Sequence, residues 1–368
     1  MDPINLTIDG RPVTAQKGVT VLQAAQTAGI YVPTLCADPD MKPYGGCRLC
    51  VVEIEKMRGF PVACTTPAID GMVIKTDTPM VMELRRMAME LILSDHPSQC
   101  LVCDRKERCG PFDICLRNVA VTDRCVTCPK NDHCEVQPIV KYLGITSLPY
   151  RHSEGCIPVD ESNPFYYRDL NKCILCAKCV RTCDEIVGVN AIEIIHRGHD
   201  SKIGTLGDRD IIYSNCISCG ECVVRCPVGA LVPKHMEIPA SEVASTCPYC
   251  GVGCGIYLSV REGHLTGVRA RRDSPNKGNL CVKGRFGIVE FVHSADRLKS
   301  PLVRREDGYQ SAGWDEALDL AANKLKSYKP EQVAVISSAK CSNEDNYVAQ
   351  KLARAVLGTN SIDHCARV

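Results

Sequence analysis

An α+β multidomain chain, each small domain folded around bound metal, is what three observations predict. The 368 residues include 26 cysteines, and 23 of these fall into five spaced segments. Only five Phe and one Trp are present, so aromatic burial stabilises little and metal ligation must stand in for large cores. Between the cysteine segments run short stretches of period-two alternation and of apolar residues at helical spacing. The net charge of +1, with both signs mixed, indicates no nucleic-acid surface.

Met1-Asp2-Pro3-Ile4 leads straight into a strand pattern, without the charged and apolar regions of a signal peptide. No apolar run approaches the roughly 20 residues that span a bilayer. The expectation is a cytoplasmic protein without a membrane span. In that reducing compartment clustered thiols bind metal instead of pairing.

Residues 4–15 read as a hairpin: Ile4, Leu6 and Ile8 alternate, Asp9-Gly10 turns, and Val13 resumes. Thr20 opens a helix with Gln23 completing a capping box, and Gly29 stops it. Strand-like 50–54 and 72–74 follow. Hairpin, helix, then further strands is the order of a β-grasp ferredoxin, assigned to residues 1–78. Its candidate ligands are Cys36, Cys47, Cys50 and Cys64, with Gly45-Gly46 allowing backbone to pack on a cluster. Zinc modules generally carry two short C-x2-C pairs, and this stretch has one.

A domain over 79–148 starts with a helix, Thr78 as N-cap and Pro79 at its first position. Val81, Leu84, Met87, Ala88, Leu91 and Ile92 are its expected apolar face, and Asp95-His96-Pro97 ends it. His96, Cys100, Cys103 and Cys109 then follow as H-x3-C-x2-C-x5-C. Cys115, Cys125, Cys128 and Cys134 form a further quartet whose last three members repeat the C-x2-C-x5-C spacing. Two partitions are open: Cys115 can replace His96 on the first cluster, or Cys109 and Cys115 can exchange roles. Zinc is the alternative for the second quartet. Residues 149–164 read as an irregular linker, and Cys156 within it has no spaced partner.

Residues 164–236 carry Cys173, Cys176, Cys179 and Cys183, then Cys216, Cys219, Cys222 and Cys226, the second run followed by Pro227. Repeated C-x2-C-x2-C-x3-C is the two-cluster bacterial ferredoxin pattern, in which each run's fourth cysteine ligates the other cluster. The expected sets are Cys173, Cys176, Cys179 and Cys226, and Cys216, Cys219, Cys222 and Cys183. Asp184 stands where that pattern usually has proline.

In residues 243–299, Cys247, Cys250, Cys254 and Cys281 make C-x2-C-x3-C-x26-C with glycines between them. That set suits a 4Fe–4S cluster, with four-cysteine zinc as the alternative. A hairpin over 255–269 turning at Glu262-Gly263 is expected. Helices over 314–328 and 343–356 and a buried strand over 333–337 then mark the start of an α/β domain at 300–368. No G-x-G-x-x-G or P-loop occurs, so no nucleotide site is visible.

The Cys247–Cys281 segment, followed by Lys283-Gly284-Arg285-Phe286-Gly287 and Arg297–Leu302, resembles molybdenum- or tungsten-bis-pterin oxidoreductases, particularly the catalytic subunit of multi-cluster formate dehydrogenases. The long-gapped 2Fe–2S motif and the His96 motif resemble segments shared with NADH:quinone oxidoreductases and iron-only hydrogenases. The resemblance implies a 4Fe–4S domain of the Mo/W bis-pterin type, and Lys283 as electron relay between its cluster and the pterin. It implies one 2Fe–2S and five 4Fe–4S clusters, with Mo or W on bis-pterin guanine dinucleotide in the full-length protein. Formate and carbon dioxide are the implied substrates, and a flavin-bearing, NAD(P)-binding iron–sulfur subunit the implied electron partner. Residues 360–368 resemble the segment just before a selenocysteine or cysteine metal ligand, so the chain is expected to be a fragment that carries electrons without its Mo or W site. The alternatives are a non-catalytic conduit, the large iron–sulfur subunit of an NADH:quinone oxidoreductase, and an iron-only hydrogenase. Cys341 and Cys365 are left over as non-ligands.

Overall fold

A computed structural model describes residues 3–150, 157–235 and 239–365, so Cys156 and part of the expected linker lie outside the described residues. The chain divides into two compact units, Met1–His235 and Met236–Val368.

The first unit opens with the antiparallel pair β1 (Pro3–Ile8) and β2 (Arg11–Gln16). Asp9 and Gly10 both take positive φ, 49° and 76°, the geometry a two-residue hairpin turn requires. Asp9 also accepts the Thr76 amide and hydroxyl, each at 2.6 Å, which pins the end of the later strand beside this turn. Helix α1 (Val21–Thr27) carries the expected capping box at Thr20 and buries Val21, Leu22, Ala24 and Ala25 against the sheet. Strands β3 (Glu53–Ile54) and β4 (Val73–Lys75) complete a mixed sheet of order β2-β1-β4-β3, in which β4 runs parallel to β1. The strand expected over 50–54 is shorter, because Val52 donates to Pro61 instead of joining the ladder.

Helix α2 (Pro79–Ser94) begins and ends as expected. Its buried stripe, however, is Val81, Arg85, Met89 and Leu93, while Met87 and Leu91 are exposed. Arg85 is fully buried because its guanidinium donates to the Val51 carbonyl at 2.8 Å, tying the helix to the β-grasp sheet. Helix α3 (Val136–Tyr142) packs Val136, Ile139 and Val140 into a core shared with Met89 and Leu93.

The ferredoxin-like part has β5 (Tyr166–Arg168), the short helix α4 (Lys178–Arg181) continued by a π-helical turn at Thr182–Ile186, and the hairpin of β6 (Glu193–Ile195) with β7 (Lys202–Gly204). Helix α5 (Glu221–Arg225) and β8 (Leu231–Pro233) follow, with β8 antiparallel to β5.

In the second unit, β9 (Ser241–Thr246), β10 (Gly255–Arg261) and β11 (His264–Ala270) form an antiparallel sheet whose hairpin turns at Glu262-Gly263. A π-helical turn at Lys283–Gly287 runs into α6 (Ile288–His293). A hairpin of β12 (Leu302–Arg305) and β13 (Gly308–Ser311) precedes α7 (Trp314–Lys326). Strand β14 (Val335–Ser337), α8 (Asn343–Lys351) and β15 (Ile362–His364) close the described chain. The strand expected to be buried over 333–337 is not buried. It pairs in parallel with β15 in a two-stranded sheet, and Ile336 is 84% exposed.

Candidate metal centres

In the β-grasp region the chain from Leu35 to Cys50 wraps back on itself so that thiols face one another. The Cys47 amide donates to Cys36 Sγ at 3.4 Å, and the Leu35 amide to Cys47 Sγ at 3.5 Å. Cys36, Cys50 and Cys64 are buried, and Cys50 lies within hydrogen-bonding reach of Cys64. Hydrogen bonding with Cys36, then burial, pushes the Cys47 thiol up. Three buried thiols and a half-buried one cannot all ionise side by side without a cation among them, so this donor set suits iron. The neighbouring glycines serve the protein's own packing: a Cβ on Gly46 would meet the Tyr44 ring at 2.4 Å, and Gly45 takes φ +73° against Thr65.

The paired ferredoxin runs are regrouped across the fold. One cavity is lined by Cys173, Cys176, Cys179 and Cys226, a second by Cys183, Cys216, Cys219 and Cys222. The backbone explains this. Leu175 and Ala177 in the first run, and Ser218 and Gly220 in the second, take positive φ at matching places. Each loop thus winds left-handed and turns amides inward: Leu175 N–H to Cys173 Sγ and Ser218 N–H to Cys216 Sγ, both 3.4 Å. The π-helical turn after α4 then carries Cys183, and the end of α5 carries Cys226, to the opposite cavity. Burial pushes the Cys173 thiol up to about 12, and the Cys226 charge adds to the push. Cys222 is pushed up by burial and by Cys219, Cys216 and Cys183.

Spacing gave no sign of several side chains at these cavities. The Tyr166 hydroxyl lies 3.2 Å from Cys216 Sγ. Arg181 donates to the Cys36 carbonyl at 3.0 Å and to the Lys42 carbonyl, pairs with Glu185 at 3.1 Å, and lies over the Tyr44 ring. Arg225 faces Asp38, Asp40 and Glu221. Two arginines on the helices between ferredoxin ligands therefore clamp the loop that carries Cys36 and Cys47. No local motif announces such contacts across some 140 residues.

Between these regions, Cys100, Cys103, Cys109, Cys115 and Cys125 line one cavity together with Arg105, Lys106, Arg117 and Arg124. His96 is not among its lining residues. It is buried, with Nδ1 2.9 Å from the Lys172 carbonyl. Cys134 stands just before α3 and is pushed up by burial, with Cys128 adding to it.

In the second unit, β9, β10 and the turn after Leu280 bring Cys247, Cys250, Cys254 and Cys281 together. The Cys247 amide donates to the Cys254 carbonyl at 2.8 Å, and the charges of Cys250 and Cys281 act on both Cys247 and Cys254. Gly284 is buried, and a Cβ there would lie 3.6 Å from Cys247 Sγ. Lys283 begins the π-helical turn with its side chain exposed. The backbone around Ala339 and Cys341 packs on Gly251, beside Cys250. Cys365 approaches the Ser338 hydroxyl at 3.5 Å.

Among the described residues no helix is long and apolar enough to cross a membrane.

Sequence profiles of known families match in five blocks. Residues 1–79 match a 2Fe–2S iron–sulfur cluster binding domain, and 85–110 the NADH-ubiquinone oxidoreductase-G iron–sulfur binding region. Residues 163–232 match the ferredoxin-like domain of NADH-quinone oxidoreductase subunit 3. Residues 240–293 match the molybdopterin oxidoreductase Fe4S4 domain, and 297–368 molybdopterin oxidoreductase. The chain is 37% identical over 374 residues to the alpha subunit of an NADPH-Fe(3+) oxidoreductase of Geobacter sulfurreducens, covering 99% of this chain and 40% of that one. It is 34% identical to a subunit of an NADH-quinone oxidoreductase of Rhizobium meliloti, with the same coverage. A putative formate dehydrogenase of Staphylococcus aureus is 29% identical over 410 residues, 98% of this chain and 39% of that one. The chain thus spans about two-fifths of the length of these relatives. Among solved structures, an NAD+-reducing [NiFe]-hydrogenase aligns with TM-score 0.52 and 28% identity, over 63% of this chain and 87% of that one.

Proposed function

We propose that the chain, whose segments match 2Fe–2S, Fe4S4 and molybdopterin oxidoreductase domains, is the electron-carrying part of a formate dehydrogenase catalytic subunit. The observation that carries the electron-transfer reading is the crossed grouping of the ferredoxin thiols into two cavities. Two thiol sets in adjoining cavities of one small domain suit the passage of electrons between the groups they would hold. Bound clusters would supply one-electron carriers. The chain's own residues hold the thiols in place, aim amides at the sulfurs and keep the surroundings apolar, all of which set potentials.

The ligands proposed for these clusters are Cys36, Cys47, Cys50 and Cys64 for 2Fe–2S, the two crossed ferredoxin sets, and Cys247, Cys250, Cys254 and Cys281. Lys283, at the start of the turn after Cys281, is proposed as the relay toward a pterin. Formate as substrate rests on the resemblance carried by the Cys247–Cys281 segment and on the putative formate dehydrogenase relative. The electron partner is proposed to be a pyridine-nucleotide-binding subunit, in line with the NADPH and NADH named in two relatives.

A second reading is a conduit without chemistry of its own, favoured by the NADH-quinone oxidoreductase relative and two of the matching domains. Metal analysis of the full-length protein, with formate-driven reduction of its clusters, separates the two. Mo or W near one per chain and formate-dependent bleaching support the first. Iron without Mo or W, and bleaching by reduced pyridine nucleotide but not by formate, supports the conduit.

A further inference from the structure

The cysteines between His96 and Cys134 contain the spacing C-x2-C-x5-C twice, at Cys100–Cys109 and at Cys125–Cys134. Spacing alone therefore cannot say which triplet takes the histidine. The family match over 85–110 covers His96 and the first triplet, in chain order. The fold separates them. Cys100, Cys103, Cys109 and Cys115 share one cavity with Cys125, and His96 does not line it but sets Nδ1 against the Lys172 carbonyl. A carbonyl oxygen only accepts, so Nδ1 carries the proton and Nε2 the lone pair, the tautomer a metal-ligating imidazole needs.

Lys172 is also where Cys128 sits. The point a Cβ on Gly229 would occupy is 2.6 Å from Cys128 Sγ and 3.3 Å from Lys172 Cδ. His96 thus meets the backbone of Lys172 and Cys128 lies near its side chain, while Cys103 and Cys109 line the other cavity. Cys125 lies on the boundary, against Cys100. Cys128 acts electrostatically on Cys134, Cys125 feels Cys100 first and Cys134 after it, and Cys115 feels Cys100. Four thiolates carry one more negative charge than three thiolates and an imidazole; Arg105, Arg117 and Arg124 line the cavity of Cys100, Cys103, Cys109 and Cys115, while Lys106 there acts on Cys125 and Cys134 as well as on Cys100.

We propose that His96, Cys125, Cys128 and Cys134 hold one 4Fe–4S cluster, and that Cys100, Cys103, Cys109 and Cys115 hold a second, all-thiolate one. This rests on the iron–sulfur reading above. It places the histidine-ligated cluster against the Lys172-Cys173 and Gly229 segments of the ferredoxin-like part, making it the neighbour of the cavity that holds Cys226.

The test is an EPR-monitored redox titration with iron analysis of the anaerobically purified full chain. His96→Cys replaces a neutral ligand by an anionic one, so one cluster signal shifts to lower potential. Added to His96→Cys, Cys128→Ser or Cys125→Ser should abolish or alter that shifted signal, whereas Cys109→Ser or Cys115→Ser should leave it and alter another. The reverse pattern overturns the partition, and so does one signal lost in all four. Unchanged ferredoxin signals in the same samples report that each variant has folded. Zinc in place of iron at these sites, with no signal responding to any variant, overturns the cluster reading itself and is recognisable by metal content.

Discussion

Replacing Arg181 by Met tests whether the clamp on the 2Fe–2S loop holds the first unit together. Arg181 is buried, and its guanidinium serves the Cys36 and Lys42 carbonyls and the Glu185 carboxylate at once. Met approximates the length of the stem but satisfies none of the three. Glu185 keeps the Lys42 amide at 2.7 Å, so its charge is not wholly abandoned, whereas both carbonyls lose this donor. Removing one partner of a buried ion pair costs roughly 3–5 kcal/mol, and each stranded buried acceptor about 1–3 kcal/mol within that total. For a unit of this size, about 1 kcal/mol lowers the melting temperature by roughly 2–4 °C, so Arg181→Met should lower it by roughly 6–20 °C. Differential scanning calorimetry at one fixed scan rate measures this, since cluster proteins unfold irreversibly. Arg181→Lys should fall between, because an ammonium keeps the charge but cannot fork to two carbonyls. The 2Fe–2S signal should broaden in Arg181→Met while the ferredoxin signals persist. A melting temperature within about 2 °C of wild type, with an unaltered 2Fe–2S signal, would refute the reasoning.

Three further outcomes are expected. Cys226→Ala should damage the cluster of the Cys173 run and spare the one held by Cys183, Cys216, Cys219 and Cys222; EPR showing loss confined to the latter would contradict the crossing. Tyr166→Phe removes a hydroxyl 3.2 Å from Cys216 Sγ, and since a donor worth about 1 kcal/mol favours the more negative reduced cluster by at most that amount, its loss should lower that cluster's potential by up to roughly 40 mV, read by redox titration. Burial pushes the Asp160 carboxyl up, but the Ser162 hydroxyl, the Ile211 and Ser162 amides and Arg168 together hold it below the usual range. Its contribution is therefore complete above the ordinary carboxylate pKa of about 4 and is lost as pH falls through the lower folded value. Asp160→Asn should then be less stable than wild type by roughly 3 kcal/mol near neutrality, with the gap closing below about pH 4; a gap independent of pH would oppose this.

The turns at Asp9-Gly10 and Glu262-Gly263, the capping box at Thr20 and the start of α2 at Thr78-Pro79 were legible in the sequence. Each depends on residues within a few positions of one another, so spacing and backbone preference carry the information. The crossing of the ferredoxin thiols was expected from the two-cluster ferredoxin pattern, and the two cavity linings group the thiols in that way. The buried face of α2 was not. Its apolar residues nearly encircle the helix, and Arg85 turns inward only because Val51, in another part of the chain, offers it a carbonyl. The exposure of Ile336 likewise depends on which layers lie beside β14, a property no strand encodes alone. Tertiary structure decided which residues share a cavity between His96 and Cys134. Two triplets of identical spacing are degenerate in sequence, and the proposed partition rests on contacts of His96 and Cys128 with Lys172 that spacing cannot encode. The clamp of Arg181 on Cys36 is invisible for the same physical reason: a hydrogen bond across 145 positions leaves no periodic trace in either partner.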